Sequence, residues 1–267
     1  MSGIYPLLKK PFFGKYQVTW QWPDGIECSP AWEAVTFPSE TGATLQGLFR
    51  RTTAAERRGT IVCAHPMGKD AKGFFLRYGH AELLLKNGYD VLLFDFNGFG
   101  ESADGNLDYP LDVAAAGRYA TQLTHDPSVG LLGLSFGAAW SLCAVALPGH
   151  NFKAVVAEGA FTTLAEYWYR YRVPYTILQT LSVFMPNFAR RVKPIDRIRE
   201  AVTQHILLIY GESDAVAPVA MGQRLHAASH SPSTLWQVPA ARHNFAFMTA
   251  PDAYAERVLA HFNQHLL

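Results

Sequence analysis

From residue 59 onward the chain alternates short apolar runs with amphipathic stretches. "GTIVCAH" reads as a strand, 71–87 as a helix, "DVLLFDF" as a strand and 109–125 as a helix. In the first of these helices Phe74, Tyr78, Ala81 and Leu85 recur at spacings of four, three and four, and Asn87-Gly88 supplies a stop. Asp108 is placed to cap the second, with Pro110 in its first turn. "SVGLLGL" is apolar without a helical period, whereas "FGAAWSLCAVAL" favours a helix, so a strand and a helix should meet at Ser135. Further strands are expected at "KAVVAEGA", "HILLIYGESD" and "STLWQVP", with helices near 217–229 and 250–266. Earlier, "YQVTWQW", "WEAVTF" and "TLQGLFR" suggest strands separated by turn-forming residues. This alternation predicts an α/β fold with a mostly parallel sheet covered on both faces. In such sheets ligands bind at the carboxyl ends of the strands.

The interval 162–204 breaks the alternation, and "YWYRYRVPY" packs five aromatics into nine residues. Two readings stand. The interval either adds helices over the sheet edge, or forms a small lid whose Tyr167, Trp168 and Tyr171 wall an apolar pocket above Ser135. Both can hold at once. A single α/β domain spanning 1–267, with this insertion, is the simpler organisation.

Charge changes the picture by exclusion. The net charge is +1 and no basic run exceeds pairs such as Lys9-Lys10 or Arg190-Arg191, so nothing here suits nucleic acid. No apolar run approaches membrane-spanning length, and the stretch before Lys9 is too short for a signal-peptide core. Cys28, Cys63 and Cys143 are far apart and odd in number. They read as free thiols of a cytoplasmic protein, and neither a metal nor an organic cofactor is called for. Nothing specifies an oligomeric state.

The candidate chemistry centres on Ser135 within "GLSFG". At a sharp strand-to-helix turn a serine hydroxyl is held out toward substrate, and Gly133 and Gly137 relieve close contacts around it. A hydroxyl is a weak nucleophile near neutral pH, so a base and an orienting acid are needed. Asp214 follows the run "ILLIY", and His243 follows the strand "STLWQV", which places both at strand ends in the order serine, acid, histidine. Alternatively Asp214 caps the next helix and His243 is a solvated loop residue. Glu212 and Glu158 are rival acids. Among the other histidines, His80, His125, His226, His230, His261 and His265 fall in or beside helices, where an exposed imidazole is the default. His205 begins a strand at the wrong end, and His65, before Pro66, suits loop structure. The Phe136 and Met67 N–H groups are the expected oxyanion donors, since Pro66 has no N–H.

With these residues placed, the chain from about Trp32 resembles the α/β-hydrolase superfamily. The features occur in order: "HPMG", "FDFNGFGES", "GLSFG", "GESDAVAP" and "RHNF". The insertion after "EGAF" looks most similar to the small-lid, Bem46-like or dienelactone-hydrolase-like groups. The resemblance implies a serine hydrolase in which Ser135, His243 and Asp214 cleave a carboxylic ester or thioester through an acyl-enzyme. Peptidase or acyltransferase chemistry on the same residues, and a non-catalytic binder of small ligands, are the alternatives. Aromatic crowding in 162–204 favours a small-molecule substrate with an apolar acyl or aryl group. The excess of arginine and lysine there favours neutral or anionic substrates.

Overall fold

The computed structural model describes residues 5–24, 26, 31–169, 171–184, 192–202 and 205–266. Strands β1 (Glu33–Pro38), β2 (Thr44–Arg50), β3 (Gly59–Ala64), β4 (Tyr89–Phe94), β5 (Val129–Leu134), β6 (Phe152–Glu158), β7 (His205–Gly211) and β8 (Ser233–Val238) form one sheet. Their order is β1-β2-β4-β3-β5-β6-β7-β8. β2 runs antiparallel to β1 and β4, and every other pairing is parallel. The chain hops over β3 between β4 and β5, so the carboxyl ends of β3 and β5 lie side by side at the switch point where α/β sheets bind ligands.

β3, β4 and β5 are buried at every residue because apolar clusters cover both faces of the sheet. One cluster joins Val62, Leu92 and Leu131 to the helices α4 (Tyr109–Thr124) and α5 (Phe136–Ala144). The other joins Ile61, Leu93 and Leu132 to α3 (His80–Lys86) and the carboxyl-terminal helix at Pro251–His265. Each fully buried aliphatic side chain contributes ~1.5–3 kcal/mol. Gly130 admits the Phe262 ring, since a Cβ there would stand 2.9 Å from it.

Two local expectations are corrected. The stretch 71–87 is not one helix: α2 (Gly73–Arg77) ends before Gly79, whose φ of +79° breaks the ladder and starts α3 in a new direction. "YQVTWQW" is not a strand, because it does not lie at a free sheet edge. Instead its Trp20 ring centre lies 4.4 Å from Lys72 Nζ. Ahead of it lies an unanticipated helix, α1 (Tyr5–Phe13). Its Phe13 packs against Phe99, Tyr109 and Phe136, and its buried Lys9 binds Asn97 and Asp104.

A third expectation fails at His80, whose imidazole is buried rather than exposed. It sits among Phe74, Phe75, Phe247 and Tyr254 with neither nitrogen hydrogen-bonded to the described residues. Burial pushes its pKa down to about 3. The unfolded chain therefore binds a proton near pH 6.5 that the folded chain refuses. Stability from this site is complete above that pH and is lost on acidification toward pH 3, at up to about 1.4 kcal/mol per pH unit. His80→Leu is expected to shrink the drop in Tm between pH 7.5 and pH 5. An unchanged drop would show that His80 does not carry it.

Cys63 and Cys143 are buried free thiols, held protonated by desolvation. Cys28 lies outside the described residues. No helix among the described residues is long and apolar enough to cross a membrane.

Candidate active site

Ser135 occupies the turn between β5 and α5 with φ +51° and ψ −108°, a conformation few non-glycine residues adopt. Its strain is held by neighbours: the Ser135 N–H donates to the Glu158 carbonyl at 2.7 Å, and its carbonyl accepts the Ala139 N–H at 3.0 Å. The turn is tight because α5 lies directly on β3. A Cβ on Gly137 would come within 1.9 Å of the Ala64 carbonyl oxygen, and one on Gly133 within 2.7 Å of Ala138 Cα.

The loop after β7 brings in Asp214. Its Oδ1 accepts the Val216 and Ala217 N–H groups at 2.7 and 2.8 Å, so the carboxylate pins its own loop as a cap would. Its Oδ2 lies 2.6 Å from His243 Nδ1, and His243 Nε2 lies 2.7 Å from Ser135 Oγ. The three residues, separated by up to 108 positions, form one hydrogen-bonded chain. Asp214 is buried while His243 is partly accessible. Asp214 does not cap the next helix, which begins at Val219 behind Pro218; one of its oxygens holds its own loop and the other meets the His243 ring.

Glu212 is exposed. Glu158 is buried, but its Oε1 accepts the Ala246 N–H at 3.0 Å, in the segment just past His243. His65 is not available as a base: its Nδ1 bonds the Pro66 carbonyl at 2.8 Å, and its Nε2 accepts the Phe96 N–H at 3.1 Å. Burial lowers its pKa. The His65 carbonyl accepts the Gly137 N–H at 3.1 Å, stitching the loop after β3 to the start of α5. That loop carries Met67, and neither the Met67 nor the Phe136 N–H has a hydrogen-bond acceptor among the described residues. Phe136 also opens α5, where the helix carries a partial positive charge of roughly half a unit. Asp95 supports the neighbouring loop by binding Lys72 Nζ at 2.6 Å and the Glu101 N–H at 3.0 Å.

The described part of 162–204 contains α6 (Leu164–Tyr167), capped by the Thr163 hydroxyl, α7 (Arg172–Phe184) and α8 (Pro194–Arg197). Tyr167 is partly buried against Phe161. Trp168 is buried between Phe12 and Phe13, and Tyr171, whose ring meets Trp168 at 5.4 Å, is exposed.

Residues 60–191 match the family described as the alpha/beta hydrolase fold. The chain has the α/β-hydrolase fold. It is 29% identical over 228 residues to a protein of Mycobacterium tuberculosis strain H37Rv, covering 83% of this chain and 76% of that protein. It is 25% identical over 237 residues to YfhR of Escherichia coli K12, covering 85% and 79%. Among solved structures, the Pyrococcus furiosus esterase Pf2001 superposes with a TM-score of 0.73 at 19% identity, covering 94% of this chain and 100% of that one. At that identity the likeness concerns the fold. Two features of this fold escape a reading of its motifs. The first is α1, whose Phe13 braces Phe136. The second is the bond from Glu158 to the histidine loop, for which the acid at the end of the apolar run "AVVAE" was the available signal.

Proposed function

We propose that this α/β-hydrolase is a serine hydrolase of small carboxylic esters. The observation that carries the reading is the unbroken chain from Ser135 Oγ through His243 to Asp214 at 2.7 and 2.6 Å, at the amino end of α5. In the acylation step His243 Nε2 takes the hydroxyl proton as Oγ attacks the ester carbon, and Asp214 holds the Nδ1–H and stabilises the imidazolium. The Phe136 and Met67 N–H groups receive the oxyanion, each contributing about 3 kcal/mol to the transition state. His243 then returns the proton to the departing alkoxide. Water repeats the sequence on the acyl-enzyme and frees the acid. Tyr167 and the exposed Tyr171 are assigned to an apolar acyl or aryl group, with the described part of 162–204 as the lid, while the Trp168 ring is taken up by Phe12 and Phe13. The esterase name of the Pyrococcus neighbour agrees with this class of substrate.

A fluorophosphonate probe tests the nucleophile directly. The folded protein should gain the mass of a single phosphonyl group, mapped to the peptide containing Ser135, and Ser135→Ala should gain none. Folded wild-type protein that takes no label would overturn the reading and favour a ligand-binding role.

A further inference from the structure

We infer that Glu158 is a positioning residue that sets the register between the nucleophile Ser135 and the base His243, an inference that rests on the serine-hydrolase reading above. Glu158 closes β6, and its two halves face different partners. Its backbone carbonyl accepts the Ser135 N–H at 2.7 Å, holding the strained nucleophile turn. Its side-chain Oε1 accepts the Ala246 N–H at 3.0 Å, three residues beyond His243. One residue thus links the two segments whose separation decides whether Oγ and Nε2 stay within reach.

The next residue completes the platform. A Cβ on Gly159 would lie 3.2 Å from His243 Cε1, so the imidazole rests directly against the end of β6. Gly159 is itself tied to β7 by its N–H, which donates to the Ile209 carbonyl at 2.9 Å. Nucleophile, base and the strand that leads to the acid loop therefore refer to a single rigid strand end.

An apolar residue would fill the same buried space at lower desolvation cost, so retention of a carboxyl there needs a reason. Burial pushes the carboxyl up to about 7, Tyr254 and Asp214 being its charged or titratable neighbours, and the Ala246 N–H is a partner an apolar side chain would leave unpaired. The Tyr254 hydroxyl is the side-chain hydrogen-bond neighbour of this carboxyl. A neutral amide of the same shape preserves the acceptor at Oε1.

The test compares Glu158→Met, which keeps the volume and removes the acceptor, with Glu158→Gln, which keeps it, in p-nitrophenyl ester hydrolysis. A base displaced by about 1 Å costs on the order of 10²-fold in rate. Glu158→Met is therefore expected to lose about that factor in kcat with KM within threefold of wild type, and Glu158→Gln to recover kcat to within about fivefold. Circular dichroism establishes that each variant folds, and Glu158→Ala replaces the methionine variant if that one does not. Equal activity in the methionine and wild-type proteins, or equal loss in the methionine and glutamine variants, would overturn the inference. Turnover unaffected by Ser135→Ala would instead remove the serine-hydrolase reading on which it rests, so the two failures are distinct.

Discussion

Ser135→Ala is expected to lower kcat for a simple ester about 10⁶-fold, and Asp214→Asn about 10⁴-fold, with KM nearly unchanged in both. The two losses have different physical origins. Alanine removes the only atom that can form the acyl-enzyme, leaving whatever the oxyanion donors accomplish with water. Asparagine removes no reacting atom. Its carbonyl oxygen can keep the bonds from Val216 and Ala217 N–H, so the loop should stay in place. Its amide nitrogen then faces His243 Nδ1 as a donor, which forces the ring proton onto Nε2, the nitrogen 2.7 Å from Ser135 Oγ. In that tautomer the imidazole cannot accept the serine proton.

Groups that act as a unit do not contribute independently. The double variant should therefore be no slower than Ser135→Ala alone. Single-turnover kinetics on purified, folded variants read all three values. A kcat for Asp214→Asn within tenfold of wild type would mean that Asp214 does not orient the base, and additive losses would mean that the two residues serve separate steps.

Much of the frame was legible because the features that define it are local. "GTIVCA" and "VGLLGL" lack polar positions for the simple reason that their strands are covered on both faces. Ser135 and Asp214 follow such apolar runs and His243 follows the half-buried edge strand "STLWQV", so their order along the chain already placed them at the same end of a parallel sheet. Their hydrogen-bonded approach is a further geometric fact, and their roles belong to the proposed mechanism.

What was not legible depends on partners remote in sequence. Lys9 looks like a solvated lysine until its pairing with Asn97, 88 positions away, places it in the interior. "LLKKPFF" offers no helical stripe, and Pro11 argues against a helix there, yet Phe12 and Phe13 bury their rings against Trp168 and Phe136. "YQVTWQW" satisfies the alternation of a strand, but alternation needs a neighbouring edge and this segment has none. His80 reads as a helix-surface residue because one helix does not disclose which of its faces the terminal helix will cover. Glu158 was legible as an acid at a strand end, but its partner was not: a backbone N–H carries no mark in the sequence.

Gly137→Ala is expected to be the most destabilising addition of a single methyl group in the turn around Ser135. The added Cβ would stand 1.9 Å from the Ala64 carbonyl oxygen and 2.4 Å from its carbon. Those are backbone atoms of β3, held between β4 and β5, so neither can retreat as a flexible side chain would. Relief requires α5 to lift from the sheet, which stretches the Gly137 N–H bond to the His65 carbonyl and carries the Phe136 N–H away from the oxyanion position. Ordinary overpacking costs about 1–3 kcal/mol, and a collision with fixed backbone should exceed 4 kcal/mol. At roughly 2–4 °C per kcal/mol for a chain of this size, Tm should fall by about 10 °C or more, if the protein folds at all. Gly68→Ala is the matched control, since a Cβ there meets nothing within 4 Å and its φ is not in the left-handed region. Differential scanning calorimetry of the two variants separates the collision from the mere replacement of a glycine. A Gly137→Ala protein melting within 2 °C of wild type, by this estimate of about 1 kcal/mol or less, would mean that α5 shifts freely on β3, and the rigid placement of the Phe136 donor on which the oxyanion argument depends would fall with it.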